Sequence, residues 1–237
     1  MKVALRFAAL LPLAAALVLT GCASLNAAQT ANTMGRGGLQ LGLEPAVEGF
    51  SSSVGQGTSI APRVDLAVRY GITDTVDIGG KVGSSLFEFN AKFQFTDPKD
   101  KSLVVSLAPS VGGFVFGSSG DTVGAFTIKV PLLIGFGIGG EGNQLVLGPN
   151  IQNILVEEGN SDGTSGVVDL FGLGISVGYV FKVGDGFRLM PEAGILVPIV
   201  GAASASNGNS NTNVGSSGFI WQFGLTFLFG SQQGAQR

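Results

Sequence analysis

The sequence contains no histidine among its 237 residues, and charged side chains make up only 12% of it. Without histidine the chain lacks the commonest general base and the commonest metal ligand, and no Ser-His-Asp triad can be built. The net charge of −3 comes without any basic block, which argues against nucleic-acid binding. We therefore expect neither an enzyme nor a nucleic-acid-binding protein, and no bound metal ion or diffusible cofactor.

Long apolar runs are also scarce, although 45% of the residues are hydrophobic and the mean hydropathy is +0.43. One stretch, residues 4–19, could be a transmembrane helix, but it is shorter than the ~20 residues that a bilayer requires. A chain that is apolar overall yet has few long apolar runs is typical of a transmembrane β-barrel, where apolar residues occupy alternate positions.

Cys22 is the only cysteine, so the chain has no internal disulfide. A positive start with Lys2 and Arg6 and an apolar stretch over 7–19 predict a cleaved signal peptide, residues 1–21. Residues 19–22, Leu-Thr-Gly-Cys, resemble the lipobox of bacterial lipoproteins. The resemblance implies covalent acyl chains on Cys22 as the membrane anchor. The alternative is an ordinary secretory signal in which Cys22 is unmodified.

The same resemblance implies handling by the lipoprotein sorting machinery. Ala23, rather than an aspartate, follows the cysteine, which leaves the outer membrane of a Gram-negative bacterium as the expected destination. Residues 22–35 are small and polar without periodicity, so we expect a flexible, lipid-anchored tether.

Residues 36–230 alternate between two kinds of side chain with period two, which is the pattern of β-strands. We predict a closed, antiparallel, up-and-down transmembrane β-barrel of about ten strands (8–12), followed by a tail over 231–237. The seventh strand is the weakest because Pro149 interrupts it. The predicted strands are 36–48, 60–71, 75–83, 86–96, 102–117, 122–139, 143–156, 166–183, 186–201 and 218–230.

Charged and very small residues share one face of each predicted strand, and large apolar residues share the other. In 86–96, Phe87, Phe89 and Phe93 oppose Glu88 and Lys92. A soluble barrel has the opposite arrangement, with large apolar groups inside. Short links alternate with longer ones at 49–59, 157–165 and 202–217, which predicts periplasmic N- and C-termini and a lipid bilayer around the barrel.

The last predicted strand carries Gln222, Gly224, Phe227 and Phe229, a polar-x-Gly-x-x-aromatic-x-aromatic pattern. This pattern resembles the C-terminal signal that the barrel assembly machinery of the outer membrane reads. The resemblance covers about eight residues and departs from the usual pattern because Ser231–Arg237 follow it. The alternative is a lipid-facing strand with no signalling role.

The inward face is predicted to carry most of the charge of the barrel. We expect a narrow, mildly cationic pore or, preferably, a salt-bridged polar plug, since barrels of about eight strands are filled by their side chains. Asp65 and Asp77 could form a carboxylate pair, but nearby cations favour ion pairs. The first and last strands are expected to be nearly uncharged inside. The predicted lumen charges are Arg63, Asp65, Arg69, Asp77, Lys81, Glu88, Lys92, Lys129, Lys182, Arg188 and Glu192, with Glu44 near an end.

Three functions remain open from the sequence. The first is a lipid-anchored outer-membrane barrel with a structural role or a narrow passive pore for small solutes. The second is a cell-surface interaction protein that uses the loops at 157–169 and 202–217. The third is a periplasmic, soluble, lipocalin-like lipoprotein that binds an apolar ligand.

Overall fold

The computed structural model describes residues 24–25, 27–52, 57–83, 87–118, 121–159, 165–205, 208–213 and 218–230. The predicted signal peptide, Cys22 and the tail at 231–237 lie outside the described residues, so the predictions made for them stay predictions.

All regular structure in the described residues is β-strand, because polar and apolar side chains alternate over long stretches. The predicted segments agree closely with the observed ones, and β8 continues through Pro149, which pairs with Ile175. The strands are β1 (Leu39–Ser52), β2 (Gly57–Gly71), β3 (Val76–Gly83), β4 (Phe87–Gln94), β5 (Leu103–Leu107), β6 (Ser110–Ser118), β7 (Asp121–Gly137), β8 (Gln144–Gly159), β9 (Ser165–Gly184), β10 (Phe187–Ala205), β11 (Gly208–Asn213) and β12 (Gly218–Phe229).

The strands form one closed antiparallel sheet. Strands that follow one another around the wall pair with each other, and β12 pairs with both β10 and β1, which closes the ring. β5 and β6 together make a single wall strand, interrupted at Ala108 and Pro109, since both pair with β4 and β7. β11 pairs only with β10, outside the ring. The predicted ten-strand antiparallel barrel is confirmed.

The two faces of the wall differ sharply in chemistry. Large apolar side chains such as Leu66, Phe87, Phe126 and Ile175 point outward and stay exposed, whereas most of the buried side chains in the strands are polar or charged and point inward. Among the described residues, no helix is long and apolar enough to cross a bilayer.

The two ends of the barrel are named here by their connections. The turn end carries the β2–β3, β4–β5, β7–β8 and β9–β10 connections, together with the start of β1 and the end of β12. The loop end carries the β1–β2, β3–β4, β6–β7, β8–β9 and β10–β12 connections. The predicted loop at 202–217 is partly β-structure, because β10 extends to Ala205 and β11 pairs with it.

Candidate functional site

The lumen contains the chain's own amino-terminal residues. Residues 24–25 and 27–34, here the lumen segment, are buried apart from a half-buried Asn32. We expected a flexible tether over 22–35, and the structure instead places this part of it inside the barrel. Small side chains explain the difference: Ala27, Ala28 and Ala31 fit in a lumen already lined by long polar groups, whose hydrogen-bonding atoms need partners.

Wall side chains accept hydrogen bonds from the backbone of the lumen segment. The Glu192 carboxylate on β10 accepts from the Ala27 and Ala28 N–H groups at 2.6 and 2.8 Å. Ala28 adopts a positive φ of 50°, which is uncommon for a residue with a side chain. The Glu192 carboxylate therefore holds the backbone in a conformation that the sequence alone disfavours.

Ala31 is fixed from two sides of the lumen. Its N–H donates to the Gln144 side chain at 3.0 Å, and its carbonyl accepts from the Ser106 hydroxyl at 2.6 Å. A Cβ atom added to Gly135 would lie 2.7 Å from the Ala31 Cβ, so a larger residue at this position of the wall would collide with the segment. The segment and the wall are in close contact at Ala31.

Charged groups hold the lumen segment at the turn end. The Met34 N–H donates to the Asp77 carboxylate at 3.0 and 3.1 Å, and the Thr33 N–H donates to Gln94 at 2.9 Å. Lys92, whose Nζ lies 3.3 Å from Asp77, donates to the carbonyls of Thr30 and Asn32. Both charges of this pair are fully buried, so the segment also completes the solvation of Lys92.

The other end of the segment lies in the loop-side half of the barrel. The Leu25 N–H donates to Gln222 at 2.8 Å, and the Ser24 carbonyl accepts from Lys129 at 2.8 Å. The Leu25 side chain joins an apolar cluster of inward residues on several strands. These residues are Ala125, Ile154, Val156, Leu196 and Ile220, with Phe50, Phe114, Val168 and Leu170 packed against them.

A glycine turn joins the lumen segment to the wall. Gly35 and Gly37 have φ of 74° and 76°, and the Gly37 N–H donates to the Gly71 carbonyl at 2.8 Å. A Cβ on Gly71 would collide with the Gly35 backbone. Glycine is required here because the chain reverses direction against the wall, from the lumen into β1.

The predicted lumen charges lie inside the barrel with one exception. Lys182 is at the turn-end rim, where it pairs with the exposed Asp185 at 3.2 Å. Arg63 bonds both Asp65 and Glu48, Lys81 pairs with Glu44 at 2.7 Å, and Lys129 reaches Glu88 at 4.0 Å. The buried ones are Arg63, Asp65, Arg69, Asp77, Lys81, Lys92, Lys129, Arg188 and Glu192, with Glu88 nearly so.

The expectation that β1 is nearly uncharged inside is wrong. Glu44 and Glu48 of β1 are both buried, and they are the partners of Lys81 and Arg63. Glu48 was missed because the predicted strand stopped there, whereas β1 runs on to Ser52. Its separation of four residues from Glu44, a multiple of the two-residue strand period, is the signal that places it on the same inward face.

The inward ions balance. Six cations (Arg63, Arg69, Lys81, Lys92, Lys129 and Arg188) face six anions (Glu44, Glu48, Asp65, Asp77, Glu88 and Glu192). With Lys182 at the rim, the mildly cationic lining expected from the sequence is absent from the described residues. Asp65 and Asp77, the candidate carboxylate pair, bond different partners: Arg63 for the first, and Lys92 and Met34 for the second.

A small cavity lies beside the segment. A cavity of about 10 Å³, the size of one water molecule, lies between Ala27 and Ala28 and the wall of β1 to β4. Polar atoms of Gln40, Arg69 and Asn90 at this cavity have no partner among the described residues. The described residues contain no cluster of three or more side chains suited to a metal ion.

The four residues of the predicted assembly signal lie on β12. Gln222 points inward, Phe229 points outward and is exposed, and the rings of Phe227 and Phe229 stack on Phe187 of β10. Gly224 pairs with Ala46 and with Glu192 at the closing seam. The structure gives Gln222 a second role, since it accepts the Leu25 N–H.

Neither a family model nor a curated protein matches this sequence. Solved structures with a similar fold include Neisserial surface protein A, at 11% identity and a TM-score of 0.43, with 81% of this chain and 96% of that chain covered. OprG, an outer membrane protein from Pseudomonas aeruginosa, is 11% identical with a TM-score of 0.41, and the match covers 84% of this chain and 99% of OprG. The outer membrane protease OmpT from Escherichia coli is 10% identical with a TM-score of 0.38, and the match covers 81% of this chain and 94% of OmpT. The similarity to these proteins is one of fold alone.

Proposed function

We propose that this chain is an outer-membrane β-barrel with a structural role, kept closed by its own amino-terminal segment. The observation that carries the proposal is the chain of hydrogen bonds from Leu25 to Met34, which joins the lumen segment to β3, β4, β8, β10 and β12. A barrel crossed in this way has no free path for solutes.

The outward face supports the membrane setting. Exposed Leu, Val, Ile and Phe side chains occur on every wall strand that the ring contains, while the described polar network is inside. Exposing so much apolar surface to water is unfavourable at roughly 25 cal/mol per Å², so this face suits lipid. The same observation argues against the soluble, lipocalin-like alternative.

The balance of lumen charges supports a closed barrel over an ion-selective pore. A selective pore presents an excess of one sign to the passing ion. Four of the six inward cations (Arg63, Lys81, Lys92 and Lys129) are paired with inward anions, and Lys92 and Lys129 also donate to the backbone of the lumen segment.

Conductance in planar bilayers tests this proposal. The mature protein should give no stable open-channel current. Removing residues 24–34 should give a steady conductance, since the cross-section that the segment fills would then hold water. Removing the tail at 231–237 is the matched control and should leave the barrel closed.

A stable current from the unaltered protein would overturn the closed-barrel proposal. A deletion variant that inserts, shows heat-modifiable migration in a detergent gel and still carries no current would also count against it. That result would mean that the wall side chains close the lumen by themselves.

A further inference from the structure

The lumen segment has a definite direction. Its carboxyl-side residues Thr33 and Met34 bond groups at the turn end, the side chains of Gln94 and Asp77. Its amino-side residue Leu25 bonds Gln222 and packs with Ile220, both in the loop-side half of β12. Followed backwards from β1, the chain therefore climbs from the turn end towards the loop end.

At the loop end, β3 and β4 are shorter than the neighbouring strands of the barrel wall. β3 stops at Gly83, which pairs with Asp65, while β2 continues for eight residues to Gly57, roughly 26 Å along the strand. On the other side, β4 starts at Phe87, which pairs with Gly113, and β6 continues for five residues, roughly 16 Å. The described ends of β3 and β4 therefore form a notch in the loop-end rim.

Ser24 lies just inside this notch. The Lys81 Nζ atom, on β3 two residues from its end, is 3.4 Å from the Ser24 hydroxyl. Two further residues, at about 3.3–3.6 Å each, reach roughly 7 Å from Ser24 to position 22. That reach is comparable with the length of β3 that remains between Lys81 and its end at Gly83.

An apolar groove of about 880 Å³ lies outside the same part of the wall. Its outward lining includes Leu41, Leu66, Val82, Phe87 and Phe89. Gly80 and Gly113 have no side chains to fill the space between these groups. A groove of this kind fits an acyl chain, because its walls are apolar and its open side faces the hydrocarbon of the bilayer.

We propose that the chain before Ser24 leaves the lumen at the loop end, over the β3–β4 hairpin, and that the acyl chains expected on Cys22 occupy the groove. The amino terminus then lies on the cell-surface side, not on the periplasmic side that the sequence predicts. The inference rests on the proposed function, because it needs the lumen segment in place in a membrane-spanning barrel.

Labelling of intact cells tests the route. In Ala23→Lys, an amine-reactive reagent that does not cross the outer membrane should label position 23, as found by mass spectrometry. Lys99, in the turn-end connection between β4 and β5, should react only after permeabilisation. Glu157→Lys, near the loop end of β8, is the positive control.

The proposed route requires that position 23, like position 157, is labelled on intact cells. Labelling of position 23 only after permeabilisation, with position 157 labelled on intact cells, would overturn it. Heat-modifiable migration confirms folding, and a short epitope inserted before Ser24 replaces Ala23→Lys if that variant does not fold. A conducting wild-type barrel overturns the closed-barrel function instead, so the two failures are distinguishable.

A photoreactive phenylalanine analogue tests the groove. At position 89, in the groove, it should capture the acylated amino-terminal peptide. At position 175, four wall strands away on β9, it should capture only phospholipid. Equal capture of the acylated peptide at both positions, or at neither, would overturn the assignment of the groove.

Discussion

At the scale of single residues, Asp77 holds both a wall cation and the lumen segment. It is fully buried, lies 3.3 Å from the equally buried Lys92, and accepts the Met34 N–H. Deleting one partner of a buried pair leaves an uncompensated charge, which is far more costly than deleting an exposed partner.

We expect Asp77→Ala to lower the free energy of unfolding by about 3–5 kcal/mol. Urea titration in detergent micelles, followed by the fluorescence of Trp221, measures this change. Asp185→Ala is the matched control: Asp185 is 96% exposed in its pair with Lys182 and should cost at most about 1 kcal/mol. Equal effects of the two substitutions would refute a buried network at the turn end.

At the scale of elements, the outward face of the long strands decides between lipid and water as the surrounding solvent. Ile175 lies near the middle of β9 with 45% of its surface exposed. Ile72 is similarly exposed, but it lies in the connection between β2 and β3 at the turn end.

Arginine at the centre of a membrane-spanning strand costs about 2–4 kcal/mol, and arginine near the interface about 0–1 kcal/mol. We therefore expect Ile175→Arg to destabilise the lipid-inserted barrel by the larger amount and Ile72→Arg by the smaller. Unfolding in phospholipid vesicles measures both. Tolerance of arginine at position 175 would support a soluble barrel instead.

The strands could be predicted from the sequence because alternation is local. Phe87, Phe89 and Phe93 opposing Glu88 and Lys92 require no knowledge of any partner strand. The predicted strand bounds were wrong where neighbouring side chains differ little in polarity. The Ala- and Ser-rich end of β10 and the Asn- and Ser-rich β11 are strands in a region predicted to be a loop. The break between β5 and β6 at Pro109 was also missed.

The lumen segment could not be predicted because its position depends on distant partners. Ala31 and Gln144 are 113 residues apart, and Leu25 and Gln222 are 197 apart. Residues 24–34 are mostly small or polar and have no periodicity, so the sequence assigns them no inward or outward face. The inward glutamines carried a signal, because Gln94, Gln144 and Gln222 each place an uncharged acceptor in the lumen.

At the scale of the whole molecule, one chain supplies both a barrel and its contents. The wall provides acceptors at several heights, and the lumen segment provides the matching N–H groups from Leu25 to Met34. The closed lumen, the balanced charges and the direction of the amino terminus all depend on the segment remaining in this position.

Amide hydrogen exchange of the mature protein in micelles or nanodiscs tests this position most directly. The amides of Ala27, Ala28, Ala31, Thr33 and Met34 should exchange as slowly as those of the neighbouring strands, because each is buried and hydrogen-bonded to the wall. Exchange at the rate of an unstructured peptide, in a barrel whose strands remain protected, would contradict the account.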